Sequence, residues 1–489
     1  MVKKETAKQT KDNTLGLTVK KSEDISEWYA EIVLKSEMVD HSLVSGCLVF
    51  RPYSYAMWEI IVAETDKRLK KLGVQNVYFP LFIPESLFKK EAEHVAGFSP
   101  EVAWVTHAGD TKLNERLAIR PTSETIMYDS YSKWIRSWRD LPIKYNQWNN
   151  VVRWEFKHPT PLIRTREFLW CEGHTVFATK EEAEQEIFQI LDLWEIICRD
   201  YLALPFLKGK KSDKEKFAGA VATYSLEFFL PNGRVAQGPD AHFDGQNFAK
   251  AFNITFLNRE EKKEYAWQNT WAITTRMLGI IVLMHGDDKG LILPPKIAPI
   301  QAVIVPILFD ATKEKVLKKA EEVKKTLEKH YRVKLDDREE YNPGWKYNEW
   351  ELKGVPLRIE IGPKDVEKDE LVLVRRDTGK KESVRAHDIA KKVGEHLEHM
   401  HAALYQKAEK LLYDNIVKVD NFKDLVKAIR DKKMAFAPFC GRGECEDEIK
   451  EKTEGATSRI IPFDQKHTPA KCANCNKDSQ IWIYFAKAY

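Results

Sequence analysis

One segment, RWEFKHPTPLIRTREFLWCEGH between Arg153 and His174, constrains the fold of this chain more than any other. Its pattern predicts a strand that opens with Arg153 and Glu155, a loop with two prolines, and a second, apolar strand over residues 168–170 that leads into Cys-Glu-Gly-His. Prolines are typical of a hairpin connection, because a proline cannot donate a ladder hydrogen bond within a continuing strand. The segment therefore predicts a β-hairpin.

Three arginines, Arg153, Arg164 and Arg166, lie on this hairpin beside Phe168. The planar guanidinium group suits phosphate and carboxylate oxygens, and an aromatic face can stack on a purine. The hairpin thus indicates a site for a polyphosphate that is attached to an aromatic base. A solvated charged hairpin is the alternative, because exposed ion pairs are common and weak.

The length and composition of the chain limit its class. A chain of 489 residues is expected to divide into roughly three domains. A hydrophobic content of 43% with 31% charged residues describes a soluble globular protein, and the net charge of +4 is too small to indicate nucleic-acid binding by itself. The sequence has neither an apolar run long enough to cross a membrane nor the apolar core of a signal peptide, which predicts a cytoplasmic protein with no membrane partner. It also lacks the GxxxxGK[ST] and GxGxxG signatures, so ATP must be held in another way if it is bound.

Four of the seven cysteines form a C-terminal cluster with the spacing of metal ligands. Two pairs, Cys440-x4-Cys445 and Cys472-x2-Cys475, can supply a tetrahedral site for structural Zn²⁺, with free thiols as the alternative. Such a site is closed, which argues against a zinc-dependent hydrolase because no position is left for water. The other three cysteines are predicted to be buried thiols without a catalytic role: Cys47, Cys171 and Cys198.

The residues of the hairpin, VVRWEFKH followed by RTREFLW and EGH, resemble motif 2 of the class II aminoacyl-tRNA synthetases, and they are closely similar to the prolyl-tRNA synthetases of the archaeal and eukaryotic type. The resemblance extends over nearly the whole chain after residue 22. A helix predicted from Tyr53 to Leu72, followed by a strand from Val74 to Pro80, resembles motif 1, which in this family forms the interface of a homodimer. Residues 274–299 resemble motif 3, with Arg276 on a helix packed behind a strand that ends in Pro294-Pro295.

The resemblance implies an α/β multidomain fold. The lysine-rich residues 1–21 are predicted to be a mobile tail. A class II synthetase catalytic domain with an antiparallel sheet is expected over residues 22–297, an α/β anticodon-binding domain over 298–405, and a small zinc-binding α+β domain over 406–489. The interval between motifs 2 and 3 is too short for the editing domain that bacterial-type relatives insert there, so no in-chain proofreading is expected.

The implied activity is the activation of L-proline by ATP to prolyl adenylate, followed by transfer to the 3′ end of tRNA(Pro). The resemblance implies two catalytic arginines, Arg153 and Arg276, of which the first bridges the proline carboxylate and the α-phosphate. Contacts to ATP are implied for the residues that match the family's nucleotide site: Arg153, Glu155, Arg164, Phe168, Gln237, Thr274 and Arg276. Mg²⁺ is implied by the polyphosphate, and the sequence does not assign its carboxylate ligands. Contacts to proline are implied for those that match its amino-acid site: Thr122, Glu124, Arg153, Trp170, Glu172, His174, Phe217 and His242.

Several of these segments also permit an ordinary structural interpretation. The Pro-Thr-Ser-Glu turn is a common helix start in which Thr122 or Ser123 caps the helix, and this role can coexist with ligand binding. The basic run over residues 208–220, which contains Phe217, has the composition of a solvated loop.

The anticodon-binding segment offers charged and aromatic candidates for RNA contact. Arg358, Arg375 and Arg376, together with Trp345 and Trp350, suggest a surface that binds splayed bases by charge and stacking. The alternative places both tryptophans in the core.

Two positions depart from the family pattern. Asp240 lies where the resemblance leads us to expect a threonine whose hydroxyl reaches the ligand, and Ala272 lies where a glycine is expected. A buried carboxylate changes both charge and donor ability, and a methyl group narrows a pocket. Two alternatives therefore stay open, a class II synthetase for another amino acid and a paralogue that binds tRNA without catalysis. The complete arginine set argues against the second.

Overall fold

The computed structural model of the chain describes residues 16–92, 101–155, 158–464, 469–479 and 481–489. Its residues divide by contacts into two compact units. The first unit contains the described residues up to 38 together with 286–293 and 300–397, and the second contains 39–285, 294–299 and 398–489. This division does not coincide with the boundaries predicted after residues 21, 297 and 405.

The described residues form helices and strands throughout both units. The α-helices are α1 (Ile25–Lys35), α2 (Pro52–Lys71), α3 (Glu85–Ala92), α4 (Glu124–Trp134), α5 (Lys180–Ile196), α6 (Asn247–Phe252), α7 (Arg276–His285), α8 (Lys313–Leu327), α9 (Pro343–Leu352), α10 (Pro363–Lys368), α11 (Ile389–Asp414), α12 (Phe422–Arg430) and α13 (Gly443–Lys452). The strands are β1 (Val39–His41), β2 (Leu48–Phe50), β3 (Gln75–Asn76), β4 (Phe82–Pro84), β5 (Trp104–Ala108), β6 (Thr111–Ile119), β7 (Ile143–Val152), β8 (Glu167–Phe177), β9 (Leu207–Lys210), β10 (Ala222–Phe229), β11 (Val235–Gly245), β12 (Thr255–Leu257), β13 (Lys263–Tyr265), β14 (Trp267–Thr274), β15 (Ala302–Pro306), β16 (Val333–Leu335), β17 (Leu357–Ile361), β18 (Glu370–Arg375), β19 (Lys381–Arg385), β20 (Ile416–Lys418), β21 (Met434–Phe439), β22 (Ala456–Ser458), β23 (Ile461–Pro462), β24 (Ala470–Lys471), β25 (Asp478–Ser479) and β26 (Ile481–Lys487).

The second unit is built around an eight-stranded sheet with the order β23-β9-β10-β11-β14-β8-β7-β3. All of its pairs are antiparallel except β3 with β7. The predicted hairpin lies in this sheet, where β7 and β8 pair from Ile143↔Val176 to Val152↔Glu167. The hairpin and the antiparallel class II sheet are thus confirmed.

One face of this sheet packs against α5, which begins as its capping-box pattern predicts. Thr179 Oγ1 accepts a hydrogen bond from Glu182 N at 3.2 Å, and Glu182 Oε2 accepts one from Thr179 N at 3.2 Å. Trp194 of α5 meets Trp271 of β14 with ring centroids 6.2 Å apart. A Cβ atom at Gly173 would lie 2.1 Å from Trp271 Cε2, so the glycine of Cys-Glu-Gly-His is required for this packing.

The opposite face of the sheet packs against α4 and α6. Tyr128, Phe248 and Phe252 from these helices surround Val176 of β8 in one buried cluster. Because side chains alternate along a strand, Trp170, Glu172 and His174 lie on the same face of β8 as Val176. This alternation directs three predicted site residues away from α5.

The C-terminal residues form a four-stranded sheet with the order β20-β21-β26-β22. Its core includes Leu425 of α12, Ile449 of α13, and Phe439 and Phe485 of the strands. Strand β23 pairs with β9, with Ile461 opposite Lys210, so the C-terminal segment continues the large sheet. This pairing is one reason why residues 398–489 group with that sheet.

The first unit is an α/β structure with a five-stranded sheet of order β16-β15-β17-β18-β19. This architecture agrees with the α/β domain expected for this part of the chain, and the apolar stripe of α8 is buried in its core. Trp28 of α1 donates a hydrogen bond to Asp287 O at 3.1 Å, and Lys21 Nζ donates one to Gly286 O at 2.8 Å. Residue 21 is therefore anchored, which differs from the predicted mobile tail; residues 1–15 of that tail lie outside the described residues.

Three predicted strand limits are wrong. Strand β7 ends at Val152. Arg153 N still donates to Arg166 O at 2.7 Å, but Trp154 N donates to Glu101 O at 2.9 Å, so the chain leaves the hairpin after Arg153. The strand expected over residues 74–80 is only two residues long, because Phe79 N bonds to the side chain of Gln147 instead of a backbone carbonyl. Pro294 begins a turn, with Ile297 N bonded to its carbonyl, and does not end a strand. In the described part of the chain, every helix is too short or too polar to cross a membrane.

Candidate active site

A cavity of about 320 Å³ lies on the α4 face of the large sheet. The implied ATP and proline contacts line it, with one exception: Thr122, Glu124, Arg153, Glu155, Phe168, Trp170, Glu172, His174, Phe217, Gln237, His242, Thr274 and Arg276. The exception is Arg164, which does not belong to the described lining of the cavity. Backbone hydrogen bonds between Thr160 and Arg164 form a tight bridge there, which places Arg164 on the hairpin loop.

Arg153 is held at the cavity wall by two aromatic rings of β8 and by a backbone carbonyl just before α4. Its Nε donates a hydrogen bond to Pro121 O at 2.9 Å. Its guanidinium carbon lies 5.5 Å from the ring centroid of Phe168 and 5.4 Å from that of Trp170, within the range of cation–π attraction. The side chain is therefore pre-oriented by three neighbours.

Arg276 approaches the cavity from the first residue of α7. Its Nε donates to Ile163 O at 3.0 Å and its Nη1 donates to Gln237 O at 3.1 Å. Burial lowers the pKa of this guanidinium, although an arginine side chain stays protonated in proteins. Arg276 thus brings a second positive charge to the wall that Arg153 lines.

Arg166, the third arginine of the hairpin, points elsewhere. Its Nη1 donates to Ser45 O at 3.0 Å, and its guanidinium carbon lies 4.5 Å from the ring centroid of Trp154. The convergence of three hairpin arginines expected from sequence is therefore wrong. The cavity receives one hairpin arginine and one arginine from α7.

Glu172 is the centre of a buried hydrogen-bond network. Its carboxylate accepts bonds from Ser123 N at 3.1 Å, Gln147 Nε2 at 2.8 Å and Asn149 Nδ2 at 2.7 Å, and a short one from the Ser123 hydroxyl. Ser123 is the N-cap residue of α4 by position, but its hydroxyl does not cap the helix because it bonds to Glu172. The capping role predicted for this serine is wrong, and its side chain fixes the start of α4 to β8.

His174 pairs with the same carboxylate. Its Nε2 lies 3.1 Å from Glu172 Oε2, and its Nδ1 lies 3.3 Å from the hydroxyl of Tyr128. Burial opposes the charged form of His174, but the hydrogen bond to Glu172 and the negative charge of Glu124 outweigh it and raise the pKa of the ring. Burial likewise opposes ionisation of Glu172, but the hydrogen bond and charge of His174 outweigh it and lower the pKa of this carboxyl.

Thr122 and Glu124 line the cavity beside this network, and the threonine hydroxyl donates a short hydrogen bond to the Glu124 carboxylate. Both side chains are buried. Because the carboxylate is held at the start of α4 and lines the cavity, it can accept hydrogen bonds from a ligand ammonium group.

A separate wall of the cavity is formed by Phe217 and His242, whose ring centroids lie 4.8 Å apart. The hydroxyl of Thr223 lies 2.9 Å from His242 Nδ1 and accepts a hydrogen bond from Phe217 N at 2.8 Å. Burial lowers the pKa of His242, which favours the neutral ring. Phe217 lies in the segment predicted to be a solvated loop, and that prediction is wrong for its buried members Lys211 and Ser212.

The two departures from the family pattern are direct neighbours. Asp240 of β11 lies opposite Ala272 of β14, and Ala272 in turn lies opposite Glu172 of β8. Gln237 Nε2 donates to Asp240 Oδ2 at 2.8 Å, and His242 Nε2 lies 3.6 Å from Asp240 Oδ1. Both departures line the cavity.

Four polar lining residues were not among the sequence candidates: Thr165, Glu215, Thr223 and Thr270. Thr270 reaches the cavity because β14 pairs with both β8 and β11, so it lies between His174 and His242. The pairing order of the sheet brings Thr223 and Thr270 to the cavity, and local sequence carries no signal of it.

The four C-terminal cysteines form one cluster. The sulfur atoms of Cys440, Cys445, Cys472 and Cys475 all lie within 4.8 Å of one another, and those of Cys445 and Cys472 lie 3.7 Å apart. Tetrahedral zinc–sulfur bonds of about 2.3 Å require sulfur separations of about 3.8 Å, so the geometry fits such an ion. Burial disfavours the Cys475 thiolate, but the backbone N–H of Lys477 and the guanidinium of Arg442 outweigh it and lower the pKa of Cys475 to about 6.

In the first unit, the three arginines considered for RNA contact have acidic partners. Arg358 pairs with Glu360 at 2.9 Å, and Arg375 with Asp377 at 2.7 Å. Arg376 pairs with Asp287 at 2.5 Å. Within the described residues, much of their charge is thus used inside the unit.

The two tryptophans of this segment differ. Trp350 is buried and its Nε1 donates to Asp336 Oδ2 at 2.8 Å, so the core alternative is right for this residue. Trp345 is half-buried and stacks on Tyr341 with ring centroids 3.8 Å apart.

Comparison with known proteins decides the family. Residues 104–285 match the class II core domain of the tRNA synthetases for G, H, P, S and T, and residues 301–396 match an anticodon-binding domain. Residues 422–489 match the C-terminal domain of prolyl-tRNA synthetase. The proline–tRNA ligase of Natranaerobius thermophilus is 47% identical over 96% of this chain and 97% of that protein. This chain belongs to the prolyl-tRNA synthetases.

Further relatives agree with this family. The cytoplasmic proline–tRNA ligase of Arabidopsis thaliana is 47% identical over 98% of this chain and 92% of that protein. A crystal structure of the prolyl-tRNA synthetase of Cryptosporidium parvum, complexed with halofuginone and AMPPNP, has a TM-score of 0.94 and 45% identity, covering 97% of this chain and all of that one. The enzyme is a class II proline–tRNA ligase, as the sequence predicts.

Proposed function

We propose that the cavity aligns proline and ATP so that the carboxylate of proline attacks the α-phosphorus. The bond between the α-phosphorus and the bridging oxygen breaks, and pyrophosphate leaves with prolyl adenylate formed. The 3′-terminal hydroxyl of tRNA(Pro) then attacks the adenylate carbonyl and AMP leaves. The observation that supports this assignment is that one cavity joins a buried acidic group, Glu124, to a wall with Arg153 and Arg276.

The acidic part of the cavity is assigned to the imino group of proline. Glu124, with Thr122 bonded to it, accepts hydrogen bonds from the secondary ammonium group. Trp170, Phe217 and His242 enclose the ring of the amino acid. Glu172 and His174 lie in the same wall, and the hydrogen bond between them fixes the surface that contacts the proline ring.

The basic part is assigned to the nucleotide. Arg153 bridges the proline carboxylate and the α-phosphate, and Arg276 holds the outer phosphates. Arg164, on the hairpin loop outside the described cavity lining, stays a predicted contact of these phosphates. Phe168 stacks on adenine, while Gln237 and Thr274 line the region of the ribose and the phosphates. Since the protein supplies no covalent group, the rate derives from alignment and from charge stabilisation at the α-phosphorus.

Two metal ions complete the proposal. Mg²⁺ accompanies the triphosphate, neutralising its charge, and Glu155 is the lining carboxylate that would approach it. Structural Zn²⁺ is held by Cys440, Cys445, Cys472 and Cys475, where it stabilises the C-terminal fold.

We extend the proposal to the partners and the compartment of the enzyme. The anticodon-binding domain, over residues 301–396, binds tRNA(Pro). The enzyme works as a homodimer through the α2 segment that resembles motif 1, and it is cytoplasmic, as the Arabidopsis relative is named.

Pyrophosphate exchange into ATP, measured with each of the twenty amino acids, tests this assignment. Proline should support exchange far above the others. Glu124→Gln should raise the KM for proline with little effect on the KM for ATP, and Arg276→Ala should do the reverse. The assignment of proline to the acidic part and ATP to the basic part is wrong if Glu124→Gln raises mainly the KM for ATP and Arg276→Ala mainly the KM for proline. It is also wrong if each variant raises both KM values equally.

A further inference from the structure

The segment of residues 211–220, here called the pocket loop, connects the cavity to the C-terminal domain. Glu215 and Phe217 of this loop line the cavity. Its base is fixed by Lys211 N, which donates to Thr223 O at 2.8 Å, and by Phe217 N, which donates to Thr223 Oγ1 at 2.8 Å. A shift of the loop would therefore move a wall of the cavity.

A buried ion cluster joins the base of this loop to the C-terminal domain. Glu227 of β10 accepts bonds from Arg459 Nε at 3.0 Å and Arg459 Nη2 at 2.6 Å, and a short one from Lys211 Nζ. All three side chains are buried. A buried carboxylate is strongly destabilising unless cations pair with it. Arg459 from the C-terminal domain and Lys211 from the loop both pair with Glu227, so this carboxylate links the two segments.

Two further contacts lie along the same side of the loop. Ser458 Oγ lies 3.1 Å from Ser212 Oγ, and both side chains are buried. Lys214 pairs with Asp447 of α13 at the surface. Asp447 lies on the same helix as Cys445, so the helix that carries a cysteine of the cluster also holds the pocket loop.

Direct pairing of backbones reinforces these contacts. Strand β23 of the C-terminal segment pairs with β9, which ends at Lys210 immediately before the pocket loop. The loop therefore leaves from a strand whose outer edge is formed by the C-terminal domain.

We infer that the C-terminal domain positions the amino-acid wall of the cavity through the pocket loop, with Arg459 and Asp447 as its positioning residues. The inference rests on the proposed assignment of that wall to proline. Neither residue lines the cavity, so Arg459 acts through Glu227 and Lys211, and Asp447 acts through Lys214. The domain thus tunes recognition of the amino acid in addition to completing the fold.

The first test uses Asp447→Asn, which removes the exposed ion pair without opening a buried site. Lys471→Gln is the matched control, because Lys471 forms an exposed ion pair with Asp478 within the C-terminal domain, away from the pocket loop. We expect Asp447→Asn to raise the KM for proline about 2- to 5-fold, the range of an exposed ion pair, while the KM for ATP stays unchanged. The control should leave both constants at their wild-type values.

Amide hydrogen exchange supplies a readout that does not depend on activity. In Asp447→Asn, peptides that cover residues 211–220 should exchange faster than in the wild type, while peptides of α5 should not change. In Arg459→Lys the same peptides should exchange faster still, and the KM for proline should rise further. Should the Arg459 variant fail to fold, Asp447→Asn still decides the question.

The inference is overturned if pocket-loop exchange is unchanged in Asp447→Asn, or if the KM values for proline and ATP rise together. A wild-type enzyme that shows no proline-dependent pyrophosphate exchange would instead contradict the proposed function, and the amide hydrogen exchange would still decide whether the C-terminal domain holds the loop.

Discussion

Replacing Glu172 by glutamine is the most informative single change, because this carboxylate ties β8 to β7 and α4. A glutamine oxygen in the place of Oε1 keeps the bonds from Gln147 and Asn149. Its amide group in the place of Oε2 then faces Ser123 N and His174, so two contacts of the carboxylate are lost. At about 1.5 kcal/mol or more for each hydrogen bond to a charged group, the expected loss is about 3 kcal/mol of unfolding free energy.

The assay is thermal unfolding of the wild type and Glu172→Gln between pH 5 and pH 8. At about 2 °C for each kcal/mol, the variant should unfold about 6 °C lower near pH 6. The raised pKa of His174 means that its pairing stabilises the fold fully below the unfolded pKa of about 6.5, and that this contribution is lost as the pH rises through the folded value. The lowered pKa of Glu172 keeps it ionised over this whole range, since its contribution is lost only as the pH falls through the folded value.

The deficit of the variant should therefore be greatest near pH 6 and should shrink toward pH 8. Glu182→Gln is the matched control, because it makes the same chemical change in the exposed capping box of α5, where the expected cost is about 0.5 kcal/mol. A midpoint within about 1 °C of the wild type at pH 6, or a deficit that grows with pH, would refute the proposed charged pairing of Glu172 with His174.

Three other changes test separate parts of the structure. Arg153→Ala should lower the rate of proline-dependent pyrophosphate exchange by about 100-fold or more, as expected for the loss of a charge that stabilises the transition state, while the unfolding midpoint stays near that of the wild type. Elemental analysis should find zinc in the purified enzyme, and Cys475→Ser should lose it with a lower unfolding midpoint; a full zinc content in that variant would contradict the four-cysteine site. Trp350→Phe should destabilise the protein by about 1 kcal/mol, because Asp336 loses a donor, without changing pyrophosphate exchange; an altered exchange rate would contradict its structural role.

Local sequence predicted the elements whose stabilising contacts are near in the chain. The capping box of α5 needs only Thr179 and Glu182, three residues apart, and the hairpin needs only alternating strands around a proline-containing loop. The metal-ligand spacing likewise places the two cysteines of each pair close together before the fold is known, whereas the fold brings the two pairs to one cluster.

Local sequence patterns could not predict contacts between segments that are distant in the chain. Lys211 belongs to a segment whose composition is that of a solvated loop. Only the folded structure brings it into the buried ion cluster with Glu227 and Arg459, of which Arg459 is distant in sequence. The residues that the family resemblance named line one cavity, apart from Arg164, since a shared motif carries three-dimensional information that charge pattern lacks. The positions of Arg164 and Arg166 depend on backbone turns in the hairpin loop, which residue type does not specify.

The pairing of Asp240 with Ala272 bears on the design of selective inhibitors. A compound shaped for a wall with a hydroxyl group and a bare glycine at these two places meets a carboxylate and a methyl group here, side by side on adjacent strands. A compound with a cationic group directed at Asp240 and a recess opposite Ala272 should therefore favour this enzyme over family members that carry threonine and glycine. Because the two residues are in contact across the strands, their effects on such a compound should be non-additive, and both should be exchanged together when selectivity is transferred between enzymes.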